Sequence, residues 1–241
     1  MHQLTTPEGL FGAILAADPG RPFVTYYDEA TGERSELSRK SLANWVAKTH
    51  FLLLDELGLG VGDTAVLGLP AHWISVPAVL GCLTAGLALA ADGAGAAVAF
   101  VEPARAALAV GLPDAYAVAP DSAAVGLGDA VAPGLSDYVT AVRPQPDAWA
   151  SVRMAAGPAD PGIGGLSRGE VVERARARAD ELGVGEGGRI LSTRDWRSPA
   201  DWIDTVVVPI VCGASVIFVR NPADGAVVER RAAQERATVR L

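Results

Sequence analysis

At 241 residues and 50% hydrophobic content, the chain can bury an extensive core as one large domain or two small ones. A net charge of −8 opposes the long-range attraction to phosphate backbones or anionic lipid, so neither a nucleic-acid partner nor a membrane is expected. Cys82 and Cys212 lie in apolar stretches with no metal-ligand spacing, and Met1 to Leu10 has no basic segment leading into an apolar run. Buried thiols and a cytoplasmic location are expected.

Thr6 and Pro7 form a helix start, an N-cap followed by proline, and Leu10, Phe11, Ile14 and Leu15 recur at helical spacing until Asp18-Pro19-Gly20. Phe23–Tyr27 and Arg34–Leu37 flank Glu29-Ala30-Thr31-Gly32, which predicts a β-hairpin. Ser38 caps a long amphipathic helix through Leu42, Val46, Leu53 and Leu57, ended by Gly58. Strand and helix then alternate: a strand at Thr64–Leu69, a helix at Trp73–Ala85, strands at Leu87–Ala90 and Ala97–Val101, and a helix after Pro103. That alternation predicts an α/β fold with mostly parallel sheets covered by helices.

The uncharged run Trp73–Ala91 falls within the roughly 17–25 residues of a spanning helix. Pro77, Gly81, Thr84 and Gly86 divide it, so it is read as a buried helix, a turn and a core strand. Ala115–Ala119 predicts another strand, whereas Pro120 to Pro146 shows no periodicity and contains the expected subdomain boundary. The expected division is 1–146, including the N-terminal helix and hairpin, and 147–241.

Asp55-Glu56-Leu57-Gly58 through Gly62-Asp63 recurs as Asp180-Glu181-Leu182-Gly183 through Gly187-Gly188. Each copy continues into a strand (Thr64–Leu69; Arg189–Ser192), an apolar helix, a small-residue turn (Ala85-Gly86; Cys212-Gly213) and a strand (Leu87–Ala90; Ser215–Val219). Two related subdomains are expected from this order.

Arg21-Pro22-Phe23-Val24-Thr25-Tyr26, Leu37-Ser38, Trp45-Val46, the Gly58–Asp63 turn, Leu67-Gly68-Leu69-Pro70 and Leu80–Gly86 occur in an order that resembles the N-terminal part of AMP-binding acyl-CoA synthetases. Arg189–Thr193, Pro209, Gly213–Val216 and Arg220-Asn221-Pro222 resemble the second subdomain of that adenylate-forming family, and the whole is similar to a short, truncated actinobacterial group within it. The resemblance implies activation of a carboxylate by ATP, release of pyrophosphate and passage of the acyl group to a thiol. It also implies a phosphate loop rich in Ser, Thr and Gly that carries a lysine, placed here after a strand Ser151–Met154.

Ala155–Leu166 stands at that place, and it has neither hydroxyl nor lysine; the chain's lysines are Lys40 and Lys48. Asp160 adds negative charge where phosphates would lie. Gly157, Gly162, Gly164, Gly165, Ser167 and Arg168, glycines followed by a helix start, are the candidate remnant of a nucleotide or anion site for ATP or AMP, held weakly. By the same resemblance, Leu241 precedes the family's adenine-binding segment, its metal and acyl-pocket motif, its ribose-binding aspartate and its adenylation lysine, so no catalytic or metal residue is assigned.

His72 is read as a structural histidine. Arg168, Arg174, Arg176 and Arg178, and also Arg230, Arg231, Arg236 and Arg240, are read as solvated helix faces. Trp196 and Trp202 are read as core aromatics near the family's acyl pocket. Three functions remain open: a protein not catalytic alone that binds a partner, a nucleotide or an acyl ligand; a ligase component completed by a second polypeptide, motivated by an unpaired edge at Thr238–Leu241; and a purely structural interaction protein. A protein partner or homo-oligomer is a further expectation.

Overall fold

Thr6 Oγ1 accepts the Gly9 N–H at 3.2 Å and so starts helix α1 (Pro7–Ala17), in which the Phe11 and Leu15 face is buried. This is one step in a computed structural model that describes residues 5–119 and 126–241. The predicted hairpin follows as β1 (Pro22–Asp28) and β2 (Glu33–Ser38), with Gly32 at φ 79° closing the turn. Helix α2 (Arg39–Phe51) is capped by Ser38 and passes into a π-helical segment, Leu52–Glu56, before left-handed Gly58. The predicted helix to Leu57 thus exists, widened in its last turn.

Strand β3 (Thr64–Gly68), helix α3 (Ser75–Ala85) and strand β4 (Ala88–Ala90) come next, with Gly86 at φ 98° between α3 and β4. The uncharged run is therefore a buried helix, a turn and a strand; among the described residues no helix is long and apolar enough to cross a membrane. Strand β5 (Val98–Val101) leads into Pro103–Ala109, where the predicted helix takes the 3₁₀ form. Its backbone breaks at Arg105, whose guanidinium is drawn toward Glu102, Asp195 and the Trp196 carbonyl.

After β6 (Asp114–Ala117) come β7 (Ser136–Asp137) and α4 (Tyr138–Val142), inside the stretch that showed no periodicity. Residues 120–125 of that stretch lie outside the described residues. Asp137 Oδ1 starts α4 by accepting the Val139 and Thr140 N–H groups, a capping signal too short to read against its surroundings. The expected strand Ser151–Met154 does not form: Trp149–Ser151 is a 3₁₀ turn, and the residues after it have no ladder partner. Helix α5 (Arg168–Leu182) ends at left-handed Gly183 and is followed by β8 (Arg189–Ser192). Helix α6 (Pro199–Trp202), a π-helical segment Ile203–Val207 and α7 (Val208–Val211) run on continuously, before β9 (Ser215–Arg220), α8 (Gly225–Gln234) and β10 (Val239–Arg240).

The strands form two five-stranded sheets, β4-β3-β5-β6-β7, wholly parallel, and β10-β8-β9-β1-β2, parallel except at the hairpin. The hairpin thus belongs to the sheet of the C-terminal segment, and a division at 146/147 does not separate the sheets. The physical reason lies in β1, where five successive residues, Phe23–Tyr27, are buried. A strand apolar on both faces needs neighbours and cover on both sides, which it finds beside β9, with Val24 opposite Val216.

The internal repeat is visible in the topology. In one unit β3 pairs with β4 and β5, and in the other β8 pairs with β9 and β10, so that each first strand lies between the second and third. Corresponding turns use left-handed glycines, Gly58 and Gly183 before the first strand, Gly86 and Gly213 before the second. One hydrophobic cluster joins both sheets through residues such as Tyr26, Leu67, Ile74, Val79, Trp196 and Val216.

Candidate functional site

The predicted loop is folded onto itself and onto β4. Gly157 N–H donates to Asp160 Oδ2 at 2.7 Å, and Asp160 N–H returns a bond to the Gly157 carbonyl at 3.1 Å. Gly162 N–H donates to the Leu166 carbonyl at 2.8 Å, while Gly164 N–H donates to the carbonyl of Leu89 in β4 at 2.8 Å. Leu89 N–H donates to the Gly162 carbonyl at 2.7 Å, so the loop covers the edge of the first sheet.

The start of α5 is closed as well. Ser167 N–H donates to Glu170 Oε2 at 2.8 Å and Glu170 N–H to Ser167 Oγ at 3.3 Å, a reciprocal capping box. Between them, Arg168 N–H donates to the Asp160 carbonyl and Gly169 N–H to the Pro158 carbonyl. A helix start binds an anion through N–H groups that have no other acceptor, and these four have acceptors in the chain. The glycines serve the backbone: Gly164 sits at φ 61° with Pro199 where its Cβ would be, and Gly165 at φ 86°.

Arg168 corrects its expected role. Its side chain is fully buried, donating to the carbonyls of Leu83 at 2.9 Å and Leu87 at 3.0 Å, and its Nη1 lies 2.8 Å from Glu8 Oε1. It ties the end of α3 to α1 and α5, and faces neither solvent nor the loop's outer surface. Burial pushes the Glu8 carboxyl above its ordinary range, and the Arg168 charge opposes that shift. The signal was present in the spacing: Arg168, Val171, Val172, Ala175 and Ala179 make one helical stripe, all of it buried.

The other candidates separate similarly. Arg174 and Arg176 are exposed, whereas Arg178 pairs with Asp204 at 3.1 Å and Glu181 at 2.9 Å. Arg230 and Arg231 reach Glu29 in the hairpin turn, and Arg231 lies over the Tyr27 ring at 4.0 Å. His72 is a buried structural residue, its Nδ1 accepting the Ile74 N–H at 3.1 Å, its Nε2 3.6 Å from Glu33 Oε1 and its ring against Tyr26.

A cavity of about 410 Å³ opens where the carboxyl ends of the strands of both sheets meet. It is lined by Leu67 of β3, Ala91 after β4, Arg105 and Leu108 after β5, and Asp195, Trp196, Arg197 and Trp202 after β8. The chain leaves β3 toward β4 on one side while β5 lies on the other, the point at which parallel sheets leave a crevice for ligands. Arg105 is held in this lining by donating to the Trp196 carbonyl at 2.9 Å and to Asp195 Oδ2 at 3.2 Å, with Glu102 Oε1 3.0 Å from its Nε. Asp195 Oδ1 accepts the N–H groups of Ala71 at 3.0 Å and Trp196 at 2.9 Å. Trp196 and Trp202 are core aromatics, as expected, and also form a wall of the cavity. Arg105, Asp195 and Arg197 were not singled out from the sequence, because nothing local brings residue 105 beside residue 195.

This arrangement of two sheets is found in solved adenylate-forming enzymes. An acyl-CoA synthetase of Brucella canis superposes with a TM-score of 0.74 at 14% identity, over 98% of this chain and 46% of its own. The anthranilate CoA ligase AuaEII, in complex with anthranoyl-AMP, gives 0.71 at 13% identity, and the fatty acyl-adenylate ligase from L. pneumophila, in complex with acyl adenylate and pyrophosphate, gives 0.68 at 13%. The fold is that of the N-terminal part of the acyl-CoA synthetases, and this chain spans about half the length of those structures. No family model matches the sequence. A TIGR03089 family protein of Mycobacterium tuberculosis (strain ATCC 25618 / H37Rv) is 38% identical over 245 residues, covering 98% of this chain and 99% of that protein. The chain belongs to the TIGR03089 family.

Proposed function

We propose that this protein is a binding member of the adenylate-forming fold that does not make an acyl-adenylate by itself and takes its ligand in the cleft between the two sheets. The observation that supports it is the closure of the 157–170 loop: the N–H groups of Gly157, Gly162, Gly164 and residues 167–170 are engaged within the chain, and the Arg168 side chain is buried. A departing pyrophosphate needs donors already aimed at it, and rearranging this loop would break several internal hydrogen bonds first. On this reading ATP or AMP binds weakly at most, the protein works in the cytoplasm, and a protein partner or second copy carries its effect onward.

The test is pyrophosphate exchange into ATP with a panel of carboxylic acids, using the purified protein. No exchange above background is expected, and robust acid-dependent exchange overturns the proposal. The outer strand β10, which pairs with β8 alone and leaves its other edge without a strand among the described residues, supports a second reading, in which another polypeptide pairs there and completes an acyl-activating ligase. Co-purification from the native host with a size measurement separates the two: a stable complex that gains exchange activity supports the second reading, and a lone inactive protein the first.

A further inference from the structure

The 3₁₀ segment Pro103–Ala109 lines two separate hollows. Its Arg105 and Leu108 belong to the cleft between the sheets, whereas Ala106, Ala107 and Ala109, with Val110–Leu112, form one wall of a second groove of about 440 Å³. Ala132–Leu135 form the other wall. Arg105 is the only charged residue of the 3₁₀ segment and is taken up by Glu102 and Asp195, so the lining of the groove carries no charge. On its rim Val110 is 82% exposed, the most exposed large hydrophobic side chain among the described residues. We propose that two copies of this chain dock through this uncharged surface, the Val110 side chain of each seated in the groove of the other.

Single apolar side chains are ordinary on a protein surface, but a contiguous uncharged patch with a hollow in it marks an interaction site. The charge of the chain selects the partner. Each copy carries a net charge of −8, so two copies repel where their ordinary surfaces meet and approach closely only where charges are absent. Ala106–Pro113 and Val131–Leu135 contain none. A basic partner is drawn to acidic side chains, and none lines this groove. A small molecule filling the hollow leaves Val110 in water, whereas a second protein surface covers both. Knob and groove lie side by side in one patch, the condition for a two-fold contact in which each copy gives and receives the same side chain. Gly111 at φ 82° and Gly134 at φ 83° turn the two walls, and a Cβ added at either meets nothing within 4 Å, so the space above both is open to the second copy. The docked copy then rests on the segment whose Arg105 and Leu108 line the cleft.

Sedimentation velocity of the purified full chain, from about 1 to about 100 µM, tests this without any ligand. A monomer–dimer equilibrium is expected, tightened when sodium chloride is raised from about 0.05 to about 0.5 M, because salt screens the repulsion between acidic copies and spares the apolar contact. Val110→Asp is expected to weaken the dimer about tenfold or more, and Val110→Leu to retain it. Val61→Asp, at the other exposed large hydrophobic side chain, is expected to leave the dimer unchanged. Both valines are exposed, so circular dichroism is expected to show native folding of each variant. A monomer throughout the range overturns the proposal, and saturable binding of Nile red to that monomer, lost in Val110→Asp, assigns the groove to a small apolar ligand instead. A dimer that salt dissociates, that Val110→Asp leaves intact, or that Val61→Asp weakens as much also overturns it. None of these outcomes involves pyrophosphate exchange, so this surface and the proposed function stand or fall separately.

Discussion

The Arg168 guanidinium lies 2.8 Å from the Glu8 carboxylate, with both side chains wholly shielded from solvent. The pair joins the first turn of α1 to the first turn of α5, and Arg168 also satisfies two carbonyls at the end of α3. Removing one partner of a buried pair leaves the other charged and unsolvated, at a cost of about 3–5 kcal/mol. Arg168→Met is therefore expected to lower the urea midpoint strongly. The double variant Glu8→Gln with Arg168→Met is expected to be less destabilised than the sum of the single changes. Additive losses in urea denaturation contradict the coupling.

Glycine is required unequally along the loop. At Gly164 an alanine meets both a left-handed backbone, φ 61°, and the Pro199 ring, 2.6 Å from the added Cβ; at Gly165 it meets open space at φ 86°. Gly164→Ala is expected to cost roughly 1–3 kcal/mol, and Gly165→Ala less, through backbone strain alone. Paired thermal melts check the order, and equal losses contradict the packing contact with Pro199.

His50 links stability to pH. Burial holds its imidazole below the ordinary value of 6.5, opposed by the Asp55 charge. Between the lowered folded value and 6.5 the unfolded chain binds the proton and the native chain does not, so stability declines as pH falls through that window and is unaffected by this group well above it. A His50→Leu variant is expected to show a flatter decline when urea midpoints are compared at intervals from pH 8 downward. A profile as steep as that of the unaltered protein rules out His50 as the source.

The two thiols differ in access. Cys82 is wholly buried in α3 and burial pushes its pKa up; Cys212, expected to be buried too, is partly exposed at the end of α7, also with a raised pKa. Iodoacetamide at pH 8 is expected to label Cys212 slowly in the native protein and Cys82 only after unfolding, since the thiolate is the reactive species. Peptide mass spectrometry reads the outcome, and rapid native labelling of Cys82 contradicts its burial.

Much of the secondary structure was legible along the chain because its signals are local. Thr6 and Ser38 cap the helices they were expected to cap, and the repeat from Asp55 and Asp180 foretold the matching order of elements in the two units. The 3₁₀ turn at Trp149 and the kink at Arg105 were not legible, since contacts with distant groups override alanine-rich segments whose own preferences are weak. The candidate loop was recognised by its place and its missing hydroxyls. That its N–H groups point inward depends on Leu89, Leu166 and Asp160 and was invisible.

The sequence by itself determined the fold class, the repeated unit and the absence of hydroxyl and lysine side chains from Ala155–Leu166, because hydrophobic period, capping residues and side-chain inventory belong to short stretches of chain. The tertiary structure alone decided that the hairpin joins the second sheet, that Arg168 turns inward to Glu8, and that Leu67, Arg105 and Arg197 share one cavity. Each of these depends on which surfaces are buried together, a long-range outcome of packing that no local pattern encodes.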